Sequence, residues 1–451
     1  MRYSNYYYGY LVDLTGDAYA IVFRIVYGIE QQRNLPLKAL LFFLWGNKKY
    51  IFYWSISMAG VLDGVRVLDF GRYIAGPFCG MLLGDMGAEV IRIDKLAGSE
   101  DRYLVPVAES GEGPLFLALN RNKMSLTLNP MKPEGRDVVR KLVETADVVI
   151  ANLPQPTLEA MGIDYDSLKA IKPDIILTTV TAYGNGGPYS ERVGFDGVAQ
   201  ALAGATYMGG HPGDPMKSFV PFADFGTATM AAFGTMSALL DREKTGKGQL
   251  VEGALTRTVM AFNISLIAEE ALKSIDRPAY GNRGYSAGPS DVFKTTDGAV
   301  MVQVVGQPLF ERWANLMGEE SWLNDPRFAT DMDRGENGEL LSARMQMWCK
   351  DMTTKEVLDA LDEARIPCGP VLSAKQVLED PHIKAMDFLQ DMDFPGLDKP
   401  IPVTTTPVKL SRTPGSIRKP TATLGEHTYS ILKDLNYTDE QIESMKKARA
   451  V

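Results

Sequence analysis

Val65-Arg-Val-Leu-Asp-Phe70, the Gly-punctuated stretch through Gly76-Pro-Phe-Cys-Gly-Met-Leu-Leu-Gly-Asp-Met-Gly87, and Glu89-Val-Ile-Arg-Ile-Asp94 decide the fold class. Two short aliphatic, β-branched runs flank a segment of helical length, which predicts strand, helix, strand. The alternation continues downstream. Pro133-Glu-Gly-Arg-Asp-Val-Val-Arg-Lys-Leu-Val-Glu144 has apolar residues at i, i+3/i+4 with Pro in the first turn, so a helix is predicted. It leads into Ala146-Asp-Val-Val-Ile-Ala-Asn152, a buried-type strand. Leu158 to Ile171 reads as helix and Asp174-Ile-Ile-Leu-Thr-Thr-Val-Thr181 as strand. Strands apolar on both faces with helices between them predict an α/β fold with a Rossmann-like parallel sheet covered by helices. Gly71-Arg-Tyr-Ile-Ala-Gly76 lacks the Lys-Ser/Thr of a P-loop, and there is no clean dinucleotide fingerprint. Close helix–sheet packing is the expectation for this glycine pair.

Further along, Phe225 to Leu240 is a long apolar helix rich in Ala, Met and Gly, followed by the charged Asp241-Arg-Glu-Lys-Thr-Gly-Lys-Gly248. Gln249-Leu-Val-Glu-Gly-Ala-Leu255 reads as a strand or as the lead into a helix over Thr256–Leu272. After the Gly/Pro-rich Asp276–Pro289, strand patterns at Asp291-Val-Phe-Lys294 and Ala299–Val305 precede helices to about Ala364. Residues 394–423 are Pro-rich and too polar to form a core of their own, which predicts a strap. Asp439–Val451 reads as a short charged helix. The expected domains are a large one over 58–255, a linker helix over 256–283 and a smaller inserted α/β domain over 284–375. The strap and the C-terminal part of the large domain follow over 376–451.

The first 57 residues differ from the rest, holding nine of nineteen Tyr and six Lys/Arg against three Asp/Glu. Their apolar runs, Leu37–Trp45 and Tyr50–Ser57, fall short of the roughly 20 residues a membrane span needs, and no small-residue cleavage site follows them. Residues 1–57 are expected to be a non-native extension ahead of an initiator at Met58, with a membrane-surface anchor as the alternative.

With 45% hydrophobic and 23% charged residues the composition is that of a globular protein. A net charge of -9 argues against a nucleic-acid surface, and an anionic ligand would need a local cluster of cations and backbone N–H groups. Three scattered cysteines imply no disulfide framework, as in a reducing cytoplasm. No two of the three His (His211, His382, His427) and three Cys (Cys79, Cys349, Cys368) are close in sequence. His-based triads and Cys/His metal sites are thereby nearly removed. Covalent chemistry would then fall to a carboxylate.

Three regions place a carboxylate or open backbone beside Gly or Pro. Thr181-Ala-Tyr-Gly-Asn-Gly-Gly-Pro-Tyr189 runs on to Gly194-Phe-Asp-Gly-Val-Ala-Gln200, where glycines free N–H groups for an oxyanion and Asp196 is a helix cap or a functional carboxylate. Ser218-Phe-Val-Pro-Phe-Ala-Asp-Phe-Gly-Thr-Ala-Thr-Met230 presents Asp224 at a helix start, as nucleophile or as cap. Tyr280-Gly-Asn-Arg-Gly-Tyr-Ser-Ala-Gly-Pro289 is long and Gly-rich for a simple linker.

From about residue 60 to 447 the chain resembles the class III CoA-transferases, among them formyl-CoA transferase and carnitine CoA-transferase, with which α-methylacyl-CoA racemase shares its fold. Leu62-Asp-Gly-Val-Arg-Val-Leu-Asp-Phe-Gly-Arg-Tyr-Ile-Ala-Gly-Pro77, Leu83–Asp94, Asn120-Arg-Asn-Lys-Met-Ser-Leu126 and Ala146–Asn152 carry the resemblance. Lys244-Thr-Gly-Lys-Gly-Gln249, Ile366-Pro-Cys-Gly-Pro-Val371, Asp380-Pro-His382 and Leu424-Gly-Glu-His-Thr428 complete it. Each motif alone is weak, and their order is what is specific.

Aligned on Lys244–Gln249, the family's catalytic aspartate falls on Asp224 and a neighbouring family carboxylate on Asp196. The resemblance implies attack of Asp224 on an acyl-CoA thioester, a mixed anhydride, an enzyme–CoA thioester and transfer of CoA to a free carboxylic acid. It implies CoA contacts at Lys95, Asn152 and Asn120-Arg121-Asn122-Lys123. It also implies an oxyanion loop at Gly281, Gly284 and Gly288, an interlocked homodimer, and no permanently bound cofactor, metal, nucleic acid or membrane. Ile74, Ala160 and Leu153-Pro-Gln-Pro156 depart from the formyl-CoA transferase pattern, and Ile74 with Tyr73 points to an apolar acceptor pocket. Racemases carry a His where this chain has Phe195, which transfers no proton. The alternatives are that racemase and a non-catalytic CoA-binding homologue.

Overall fold

In a computed structural model, residues 60–451 are described throughout, and before them only the backbone of residues 6–12, 18–24, 40–45 and 48–53. Those four segments form an antiparallel sheet within a unit spanning Met1–Gly60, separate from the unit Val61–Val451. The remaining residues of the 1–57 segment, and with them the expectation of an extension or anchor, lie outside the described residues.

The larger unit is mixed α/β around a six-stranded parallel sheet. Its strands are β1 (Arg66–Asp69), β2 (Glu89–Asp94), β3 (Lys123–Thr127), β4 (Val148–Ala151), β5 (Ile176–Thr181) and β6 (Leu250–Ala254). Their spatial order is β3-β2-β1-β4-β5-β6, every neighbouring pair parallel. This is the doubly wound order, in which the topology reverses between β1 and β4 and ligands bind beyond the carboxyl ends of the strands. Val148, Val149, Ile150 and Ala151 are all fully buried because helices cover both faces, which is why β4 reads as a continuous apolar run. One face packs on α1 (Ala75–Asp85) and α4 (Phe222–Thr245). The other packs on α2 (Pro133–Thr145) and on Ile431, Leu432, Ile442 and Met445, so the C-terminal segment closes the core that the N-terminal strands begin.

Two expected helices are each divided. Leu158–Ile171 is two helices, Gln155–Met161 and Tyr165–Ile171, because Gly162 turns left-handed at φ 71° and Asp164 caps the second by accepting from the Ser167 N–H. Thr256–Leu272 is α5 (Leu255–Phe262) and α6 (Ile264–Lys273), separated at Asn263. In contrast α4 is longer than its apolar stretch, reaching Thr245 before Gly246 ends it at φ 69°.

A second, antiparallel sheet of β7 (Ser290–Lys294), β8 (Ala299–Gln303) and β9 (Cys368–Pro370) has its own core around Phe310, Trp313 and Leu361. The Pro-rich stretch enters through a two-stranded ribbon, Ile401–Thr404 paired with Leu389–Met392 just before it. Phe394, in the stretch between these two strands, buries against Leu117 and Ala108, so this polar segment gains core from residues far earlier in the chain.

The glycine pair behaves as helix–sheet packing. A Cβ on Gly71 would come within 2.8 Å of the Gly76 Cα, and one on Gly76 within 2.7 Å of the Gly71 Cα. Any side chain there would push α1 away from the end of β1.

Candidate active site

The helix that carries Asp224 runs antiparallel to the sheet, and its ends show where. Near its C-terminus the Arg242 guanidinium pairs with Asp147 (2.9 Å), the residue just before β4. Its N-terminus, about 36 Å away for 24 residues, therefore lies at the carboxyl edge of the strands. There Phe225 meets Phe78 of α1 edge-on, ring centroids 4.9 Å apart. Asp224 thus stands beside the turn from β1 into α1, which also carries Tyr73 (φ 60°, exposed) and Ile74.

Asp224 does not cap its helix. The first four N–H groups of α4 are satisfied otherwise: Phe222 donates to the Val220 carbonyl and Phe225 to that of Pro221. Ala223 and Asp224 both donate to Asp196 Oδ2, at 2.8 and 3.1 Å. The capping carboxylate is therefore supplied from 28 residues earlier in the chain. Spacing leaves open which of the two carboxylates caps a helix, and the structure assigns that task to Asp196, on a helix other than its own. Asp196 begins α3 (Asp196–Leu202), is buried, and receives a further hydrogen bond from Gln200 Nε2. Gln200 Oε1 in turn accepts from the Ser218 N–H at 2.9 Å.

The consequence for Asp224 is electrostatic. With the helix donors already taken, no hydrogen bond to its carboxylate is found among the described residues. Burial, and after it the Asp196 charge, push its pKa up to about 7. A carboxylate that is basic, half-protonated near neutrality and without hydrogen bonds is more nucleophilic than an ordinary surface aspartate. In Asp196→Asn the like charge is gone while burial remains. The pH midpoint for reaction at Asp224 is expected to drop below 7 by about a unit, measured as the pH dependence of its acylation.

The residues expected to meet CoA separate into two groups. Asn120, Arg121 and Lys123 are at most 2% exposed, and their polar groups are paired inside the protein. Arg121 is clamped on Asp85 (2.8 and 3.2 Å). Lys123 spends all three protons on Asp69 Oδ2 (2.7 Å), the Pro77 carbonyl (2.7 Å) and Asn120 Oδ1 (3.0 Å). Asn120 also accepts from Arg92, which pairs with Asp94 and Asp101. Burial raises the Asp69 pKa, but Lys123 and Arg92 more than offset this and hold it below the usual carboxylate range. The run forms an internal ion network, because every charge in it has a buried partner. Lys123→Met leaves Asp69 unpaired and is expected to cost about 3–5 kcal/mol, read by urea denaturation. A raised KM for acyl-CoA at unchanged stability would instead make Lys123 a phosphate ligand.

Lys95 and Asn152 remain at the carboxyl edge of the sheet. Lys95 follows β2, is exposed, and pairs with Glu100. Asn152 follows β4 at the switch point, where it accepts from the Arg72 N–H (2.7 Å) and donates to the Arg72 carbonyl (2.8 Å). It ties the ends of β1 and β4 together across the crevice.

In the Gly281–Gly288 loop, Gly284 already donates its N–H to the Ser290 carbonyl (2.8 Å). Gly281 has φ 64° and lies against His211, to which an added Cβ would come within 2.9 Å. A Cβ on Gly288 would come within 3.0 Å of the Arg334 carbonyl oxygen. Phe195 is exposed and packs edge-on against Tyr73 (5.9 Å), forming an apolar rim near Asp196.

Sequence reasoning missed Gln200 as a partner of Asp196. Their i, i+4 spacing on one helix was the available signal.

The chain belongs to CoA-transferase family III, whose model matches residues 62–428. It is 34% identical over 393 residues to the succinyl-CoA–D-citramalate CoA-transferase of Chloroflexus aurantiacus, covering 86% of this chain and 98% of that one. The human succinyl-CoA:glutarate CoA-transferase is 31% identical over 394 residues, with 86% and 90% covered. A formyl-CoA:oxalate CoA-transferase of Rhodopseudomonas palustris is 31% identical over 421 residues, with 87% and 98% covered. Among solved structures, a CaiB/BaiF family protein from Brucella suis superposes with a TM-score of 0.74 at 31% identity, over 84% of this chain and all of that one.

Proposed function

We propose that this protein moves CoA from an acyl-CoA thioester to a free carboxylic acid, with Asp224 as the nucleophile. The observation that carries the reading is the state of Asp224. It is a carboxylate at the carboxyl edge of the sheet, without a hydrogen bond among the described residues, with its pKa pushed up to about 7.

The Asp224 carboxylate attacks the thioester carbonyl, the C–S bond breaks, and CoA leaves as thiolate with an acyl–aspartyl anhydride behind it. The thiolate then attacks the aspartyl carbonyl and expels the donor acid, giving an aspartyl–CoA thioester. The acceptor carboxylate attacks that thioester to form a second anhydride, and the thiolate takes up the acceptor acyl group and frees Asp224. Anhydride and thioester are close in energy, so the exchange runs either way provided water is excluded. Asp196 does not react. It holds the helix N-terminus and keeps Asp224 basic. In this reading Lys95 and Asn152 contact CoA and the Gly281–Gly288 loop serves the oxyanion, a role that the left-handed φ of 64° at Gly281 supports by letting the loop bend there.

The working form in this reading is an interlocked homodimer in a reducing, cytoplasmic setting. Phe219, Leu272 and Phe233 are 94%, 84% and 72% exposed, which fits burial by a second copy. Among the described residues no helix is long and apolar enough to cross a membrane. Acids named for the relatives supply the first panel: succinyl-CoA with citramalate, glutarate or malate, and formyl-CoA with oxalate. Initial rates with both substrates varied should give parallel double-reciprocal lines. Intersecting lines would mean that donor and acceptor are bound together before the first product leaves, against release of the donor acid ahead of acceptor binding.

A further inference from the structure

The buried polar groups around α3 contain one side chain that the reaction above does not use. Gln200 is 1% exposed and its amide bridges two different segments. Its Nε2 donates to Asp196 Oδ1, and its Oε1 accepts from the Ser218 N–H (2.9 Å). The opposite oxygen of Asp196 holds the N–H groups of Ala223 and Asp224. A single hydrogen-bonded path therefore runs from the Ser218 main chain through Gln200 and Asp196 to the main chain of Asp224. It spans both ends of the short segment that leads into the nucleophile's helix.

We propose that Gln200 is a positioning residue for CoA transfer, which acts through Asp196 by holding that carboxylate in place and aiming it at the helix N-terminus. The proposal rests on Asp224 being the nucleophile. Two physical roles are separable. As a donor, the Gln200 amide disperses the negative charge of Asp196 that Asp224 faces. As an acceptor, it pins Ser218, so the exposed Ser218-Phe-Val220 segment cannot draw Asp224 out of register. No other side chain hydrogen-bonds to Asp196 among the described residues, so the neutral Gln200 amide is its sole side-chain donor there.

The two roles make unlike predictions for two substitutions. Gln200→Glu keeps an acceptor for Ser218 but sets a second carboxylate against Asp196. Gln200→Met keeps the volume and removes both hydrogen bonds. The readout is the amount of CoA adduct formed on the Asp224 peptide after brief exposure to succinyl-CoA, across pH 5 to 9, for wild type, each variant, Asp196→Asn and the Asp196→Asn/Gln200→Met double variant. The expected result is an upward shift of the pH midpoint by about one unit in Gln200→Glu and by less in Gln200→Met, with adduct formation in Gln200→Met slowed about tenfold. In the Asp196→Asn background Gln200→Met should move the midpoint no further. A structural role alone leaves Gln200→Glu near wild type, and that result, or midpoint shifts that simply add in the double variant, overturns the proposal. Should Gln200→Met not fold, Gln200→Glu alone decides by the direction of its shift. If wild type forms no adduct on Asp224 at all, the nucleophile assignment has failed and the positioning role built on it falls with it, whereas an adduct with midpoints unmoved by Gln200→Glu overturns the Gln200 role alone.

Discussion

Asp224→Ala is expected to lose CoA transfer by about 10⁴-fold or more, because the bond-making group is gone and nothing nearby replaces it. The nearest carboxylate, Asp196, has one oxygen committed to two main-chain N–H groups and the other to Gln200. It faces the helix end, not the open side of the site. Asp224→Asn should lose nearly as much, since an amide oxygen does not form a stable anhydride. Binding should survive in both, because nothing assigned to CoA contact involves residue 224. Steady-state assays and CoA titration separate the two effects. A residual rate within tenfold of wild type in Asp224→Ala would place the chemistry elsewhere.

Asp224→Asn should also stabilise the fold, by an amount that depends on pH. The carboxyl group has an ordinary value of 3.8 and about 7 in the folded chain. Well below pH 4 it is protonated in both states and costs nothing. Between about 4 and 7 the folded chain keeps a proton that the unfolded chain has released, so wild-type stability falls as pH rises. Above 7 the group is ionised in both states and the penalty is fully present. Allowing for the partial exposure of Asp224, the gain for Asp224→Asn is about 2–4 kcal/mol at pH 8. It should shrink toward zero by pH 4, as seen in urea midpoints at the two pH values. A variant more stable and inactive is the pattern of a site that holds a strained charge for use. Equal stability at both pH values would show that Asp224 carries no penalty in the fold.

The alternation of Val65–Phe70, Glu89–Asp94 and Val148–Ala151 with helical segments made the parallel sheet legible, because burial on both faces leaves an unbroken apolar run. The strand order was not legible, since it depends on which crossover goes left or right of β1. The break at Gly162 was missed because one glycine inside a helical pattern is often tolerated, and only its left-handed φ shows that it ends a turn. At the site, local spacing could not decide between nucleophile and cap for Asp224. Which carboxylate caps the helix depends on hydrogen bonds spanning 28 residues, which no window of sequence contains. The pairing inside Asn120-Arg121-Asn122-Lys123 was hidden for a related reason. A basic run resembles a phosphate site until its partners, Asp69 and Asp85, are found 54 and 36 residues away.

The measurement that tests the central claim most directly is mass spectrometry of wild-type protein mixed with succinyl-CoA and quenched within seconds. The account predicts a gain equal to CoA less one water, mapped by fragmentation to the peptide that carries Asp224 and absent from Asp224→Asn. A CoA adduct on Asp196 or another residue, or turnover with no adduct while CoA transfer proceeds, would contradict it.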